Sequence, residues 1–132
     1  MRRCLIVFAL FVGAGSAAAQ DNLVAAGKFE FLRCKNCHNA SDAATAVKKG
    51  PHLHNLFGRK PGSLPDFEYS EAMVTFGRDK VWNETTLATF LRDPSGTVPG
   101  NKMIFLGIEK DEEVRALIAY MATFDPDGMA PE

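Results

Sequence analysis

Alternating apolar and polar residues, the mark of a half-buried strand, are missing along this 132-residue chain, so no sheet is expected in it. Cysteine is nearly absent as well: Cys4, Cys34 and Cys37 are too few for a disulfide scaffold. No apolar run reaches the ~20 residues that cross a bilayer, and the stretch from Leu5 to Val12 falls well short of it. A basic excess is lacking too. With 15 Lys and Arg against 16 Asp and Glu, the chain offers no cationic face for nucleic acid.

What is present begins with "MRRCLIVFALFVGAGSAAAQ", which has a basic start, an apolar middle and a small-residue end. That is the shape of a secretory signal, and Ala17 and Ala19 form an A-x-A cleavage site before Gln20. Residues 1–19 are therefore expected to be cleaved and 20–132 to form one exported domain, with no membrane anchor left behind. Cys4 leaves with the signal. So do Arg2 and Arg3, which turns 15 basic residues into 13 against 16 acidic ones.

The remaining chain reads as helices at both ends with a glycine- and proline-rich middle. From Asp21 to about Lys35, Val24, Gly27 and Phe31 recur on one face, leaving a small gap that invites a second helix. Ser70 is a candidate N-cap for "EAMVTF", and Asn83 for "ETTLATFLRD", which Pro94 should stop. The stretch after Pro94 is expected to begin as loop. The last helix, Asp111 to about Phe124, has acids in its first turn and an apolar stripe of Val114, Leu117, Ile118 and Met121. An all-α domain this small, with so much irregular chain, needs something to fold around.

"CKNCH", Cys34 to His38, names the candidate. A thioredoxin-like redox pair would need a βαβ setting that the chain lacks. A zinc site would need two more ligands, and only His52 and His54 are on offer. A structural disulfide would leave His38 without a role. The fourth reading is C-x-x-C-H attachment of a c-type haem, which export favours. Two thiols three positions apart at a helix end lie on nearly one face and can add to the two vinyl groups of one porphyrin edge, with the next imidazole below the iron.

A sixth ligand would decide between electron transfer and ligand binding. Met121 and Met73 lie inside helices, where Met is usually a gap-filler, and Met129 lies in the tail. Met103 sits in "VPGNKMIF", a loop that proline and glycine restrain, and is the expected ligand. His/Met ligation raises the potential and leaves no open site on iron.

The blocks "CKNCH", "GPHLHNLFGRKPG", "FEYSEAM", "WNETTLATFLRDP", "VPGNKMIF" and "ALIAYM" run in order along nearly the whole mature chain. In them the sequence resembles the class I c-type cytochromes, the mitochondrial and related bacterial group. The resemblance implies an all-α fold of three to five helices wrapped around one haem c, held through Cys34 and Cys37 and ligated by His38 and Met103. It implies that Pro51 gives its carbonyl to His38, that Arg59, Tyr69 and Trp82 meet the haem propionates, and that Asn101 also belongs to the cofactor site. Gly27, Phe31 and Tyr120 would form the crossing of first and last helices, and Leu53, Leu56, Leu91 and Phe105 would line the haem pocket.

The function it implies is periplasmic one-electron transfer, with no catalysis, by a monomer. Its partners would be redox proteins: a cytochrome bc complex, a terminal oxidase, a reaction centre or a periplasmic dehydrogenase. A haem enzyme or a peroxide- or gas-binding protein with a displaceable Met103 is the alternative, but no residue looks placed as a distal acid or base. Departures from the family pattern are few. Phe90 stands where mitochondrial members have tyrosine, and Asn101 where they have threonine. The segment between Tyr69 and Trp82 is slightly longer. Arg33, Lys35, Lys48, Lys49, Lys102 and Lys110 could steer a partner, yet Ser95, Gly96 and Glu109 stand where lysine is frequent, so steering should be weaker.

Overall fold

The computed structural model describes residues 15–41 and 49–125. The expected signal segment lies mostly outside these, as does Lys48. Among the described residues there are α-helices and turns and no strand, the all-α class that the sequence predicts.

Helix α1 spans Gly15–Glu30 and runs on into a 3-10 turn, Phe31–Arg33. It starts earlier than the apolar stripe alone suggests, because "GSAAAQ" is rich in alanine, the best helix former. The turn tightens where the Phe31 carbonyl accepts both the Cys34 N–H at 2.9 Å and the Lys35 N–H at 3.1 Å. Helix α2 (Glu71–Phe76) starts at Ser70, whose hydroxyl accepts the Met73 N–H at 3.1 Å. Helix α3 (Glu84–Arg92) starts at Asn83, which accepts the Thr86 N–H at 2.8 Å. Both caps stand where the sequence predicts them.

Pro94 does end α3, but the chain after it does not begin as loop. Pro94–Thr97 form a one-turn helix, α4, with the Asp93 carboxylate accepting the Gly96 N–H at 2.8 Å. Proline is tolerated at the first helical position, where its missing N–H would have had no partner. The residue that stops one helix therefore opens the next.

Helix α5 (Asp111–Ala122) buries Val114, Leu117, Ile118 and Met121, the whole of its expected stripe. It crosses α1 at Gly27, where any Cβ would strike the Ala116 carbonyl oxygen and come within 2.7 Å of Tyr120 Cβ. Phe31 and Tyr120 close the same crossing with ring centroids 5.5 Å apart. Between this pair and α2–α3 lies one apolar body, with Trp82 standing 6.0 Å from Phe76 and 5.3 Å from Phe90. Met73 and Met121 belong to that body, as packing residues.

Candidate haem site

The site begins where α1 runs out. One last turn carries the Cys37 and His38 N–H groups onto the Cys34 carbonyl at 3.0 and 2.9 Å, so the two thiols and the imidazole share one loop of backbone. Two further bonds lay the next segment alongside it: Gly50 N–H to Cys37 carbonyl at 2.8 Å, and Leu53 N–H to Asn39 carbonyl at 2.7 Å. These bonds bring Pro51 to His38, whose Nδ1 lies 2.8 Å from the Pro51 carbonyl oxygen. A carbonyl can only accept, so Nδ1 carries a proton, and in the neutral ring Nε2 is the nitrogen without one. That is the tautomer a metal ligand needs.

Gly50 lies flat against the imidazole. A Cβ there would fall 2.7 Å from both ring nitrogens, so the ring keeps its plane only because the position has no side chain. In the sequence this glycine reads as half of a Gly-Pro turn; its packing against His38 is visible only in the fold.

Both thiols are free, Cys37 exposed and Cys34 half-buried against the apolar body. Burial pushes the Cys34 thiol up to about 11, with Arg33 working the other way. A redox dithiol needs the reverse, a thiolate made easy by its surroundings. His52 and His54 stack on one another, centroids 3.9 Å apart, and among the described residues no group of three or more potential ligands gathers for a zinc ion. Of the four readings of "CKNCH", attachment of a large apolar group fits this geometry.

Opposite along the chain, the Met103 stretch is pinned at both ends. Asn101 donates its amide to the Pro94 and Val98 carbonyls, each at 2.9 Å, and accepts the Met103 N–H at 2.8 Å. The Ile108 N–H holds the Leu91 carbonyl at 3.0 Å. Between these points side chains alternate. Met103 and Phe105 pack against the apolar body, while Ile104 and Leu106 are fully exposed.

No family model matches the chain. Relatives do. A cytochrome c2 of Afifella marina is 47% identical over 109 residues, covering 82% of this chain and 87% of its own. A cytochrome c2 of Blastochloris viridis is 42% identical over 126 residues, or 93% and 95%. Among solved structures, cytochrome cH from Methylobacterium extorquens superposes with a TM-score of 0.68 at 36% identity, over 76% of this chain and 97% of that one.

The chain belongs to the class I c-type cytochromes.

A cytochrome of this class carries a covalently attached c-type haem, and the remaining site residues can be weighed against that group. Arg59 reaches the His54 and His52 carbonyls at 3.1 and 3.0 Å. Burial works against its charge, while Tyr69, Asp125 and Asp66 favour it. Gly58 and Arg59 also pair with Trp82, through Gly58 N–H to Trp82 carbonyl at 2.8 Å and Trp82 N–H to Arg59 carbonyl at 2.9 Å. Burial pushes the Tyr69 phenol up against the pull of Arg59, keeping it a neutral donor. Arg59, Tyr69 and Trp82 thus form one neighbourhood able to receive buried carboxylates. Asn101 is different: its amide is spent on the backbone of the Met103 loop, so what it holds is the loop.

Leu56 and Leu91 are buried, and Leu53 and Phe105 pack against the same apolar body. Asp125 went unnoticed in the sequence, yet it is buried and accepts the Phe57 N–H. Nothing local marks it, since the two residues stand 68 positions apart.

Proposed function

We propose that this cytochrome is a periplasmic one-electron carrier whose iron is held by His38 and Met103, with Cys34 and Cys37 forming the thioether bonds. The observation that carries this reading is the His38 imidazole, next to Cys37 in the C-x-x-C-H motif, oriented by Nδ1 on the Pro51 carbonyl and by its packing flat against Gly50. The haem supplies the one-electron couple. The chain's own residues orient the ring, restrain the Met103 loop through Asn101, offer Arg59, Tyr69 and Trp82 to the propionates, and keep water out with Leu53, Leu56, Leu91 and Phe105. The protein catalyses nothing itself. Residues 1–19 act as a signal that is cut before Gln20, and the domain that remains is monomeric.

Its partners are redox proteins of the envelope, a cytochrome bc complex or a periplasmic dehydrogenase on the donor side and a reaction centre or oxidase beyond it. A methionine whose N–H bonds to Asn101, on a stretch whose far end the buried Ile108 ties to the Leu91 carbonyl, does not favour the peroxide- or gas-binding alternative. The test is optical. Matured protein should show the weak methionine-to-ferric-iron band at the red end of its spectrum, and Met103→Ala should lose it and bind carbon monoxide. A wild type without the band that takes carbon monoxide readily would hand the function to the alternative.

A further inference from the structure

Asp125 is a buried carboxylate, only 3% exposed, at the far end of the chain from the haem-binding motif. It stands just past α5 and accepts the Phe57 N–H at 2.5 Å. Beside it the Phe124 carbonyl accepts the Asn55 N–H at 3.3 Å, so the end of α5 grips the 55–57 segment twice. A neutral acceptor would serve for that grip. Burying a carboxylate is costly unless partners answer it; the Phe57 N–H is one, and Arg59, two residues beyond Phe57, is a cation whose charge Asp125 favours.

Arg59 in turn holds the carbonyls of His52 and His54, the residues that follow Pro51. Hydrogen bonds joined by short stretches of backbone therefore lead from Asp125 to Phe57, from Arg59 to the His52 and His54 carbonyls next to Pro51, and from Pro51 to Nδ1 of His38.

We propose that Asp125 is a positioning residue for the His38 imidazole, fixing through the Phe57 N–H the segment that carries the Pro51 carbonyl. The proposal rests on the electron-carrier reading. A ring N–H held firmly on a carbonyl makes the imidazole a stronger donor and favours ferric iron, and a buried negative charge acts in the same direction.

The experiment compares haem-loaded full chain with Asp125→Asn, which keeps an acceptor and drops the charge, and Asp125→Ala, which drops both. The ferrous-to-ferric ratio at a fixed solution potential should rise about threefold or more in Asp125→Asn and further in Asp125→Ala. The His38 ring N–H proton signal of the ferrous protein should move in Asp125→Ala. Should both ratios and the signal stay at their wild-type values while Tm falls, Asp125 would be a packing residue and the proposal would be wrong. If Asp125→Ala does not fold, the nearly isosteric Asn variant still decides. The red-end methionine band persists in both variants, which keeps this test separate from that of Met103.

Discussion

Phe90 lies buried on the inner face of α3, its ring 5.3 Å from Trp82. A phenol introduced there needs a partner, since a buried hydroxyl left unpaired costs about 1–3 kcal/mol. A sulfur that accepts it becomes a poorer donor to ferric iron. Phe90→Tyr is therefore expected to raise the reduction potential, and a redox titration showing no rise, or a fall, removes the idea. His52 gives a second test at this scale. Burial lowers its pKa below the ordinary value of 6.5, aided by His54 and Arg59 and opposed by Asp66, and its Nδ1 is buried with no partner. Between the two values the unfolded chain binds more protons than the folded one, so stability is full above about pH 6.5 and falls as pH drops through the lowered value. Tm measured from pH 7 to 5 should fall less steeply in His52→Asn than in wild type. In the sequence His38 and Cys34 stand out because motif spacing announces them, and Met103 because proline and glycine restrain its loop. Gly50 and Asp125 do not, because what matters about each is a neighbour brought in by the fold.

Elements were legible where their signals are local. Ser70 and Asn83 each cap the helix they precede, and the last helix buries its expected stripe. Pro94 was misread because proline carries two messages, a stop for the preceding turn and a permitted first residue for the next, and only the Asp93 side chain tells them apart. Gly27 shows how much one missing side chain can carry between elements. In Gly27→Ala the new methyl would collide with the Ala116 backbone, which cannot turn aside as a side chain would. Denaturant unfolding should show a loss of at least about 2 kcal/mol, the scale of overpacking in a tight interface. A change of a few tenths would mean that the helices slide apart at little cost.

At the scale of the whole molecule, Arg33, Lys102 and Lys110, three of the six cations that could steer a partner, are answered among the described residues. Arg33 meets Glu30 and Glu113, each at 3.1 Å; Lys102 meets Glu68 and Lys110 meets Glu113, each at 3.0 Å. Such exposed pairs add little stability, but they cancel field at the distances where steering acts. The rate of electron exchange with an acidic redox partner is expected to change by less than about tenfold between ~0.01 and ~0.2 M salt. A steeper fall, read by stopped flow, would reveal a cationic face that these pairs do not silence.

The crossing of α1 with α5 has a consequence for how the chain assembles. It joins Gly27 to Ala116, and every residue proposed to bind the haem or ligate its iron lies between them, inside one large ring of backbone. Closing a ring of that length costs roughly 4 kcal/mol in chain entropy before any contact repays it. The glycine that lets two helices touch is thus also a clasp, and the residues from Cys34 to Met103 are beads on a string whose ends must meet before the necklace has a shape.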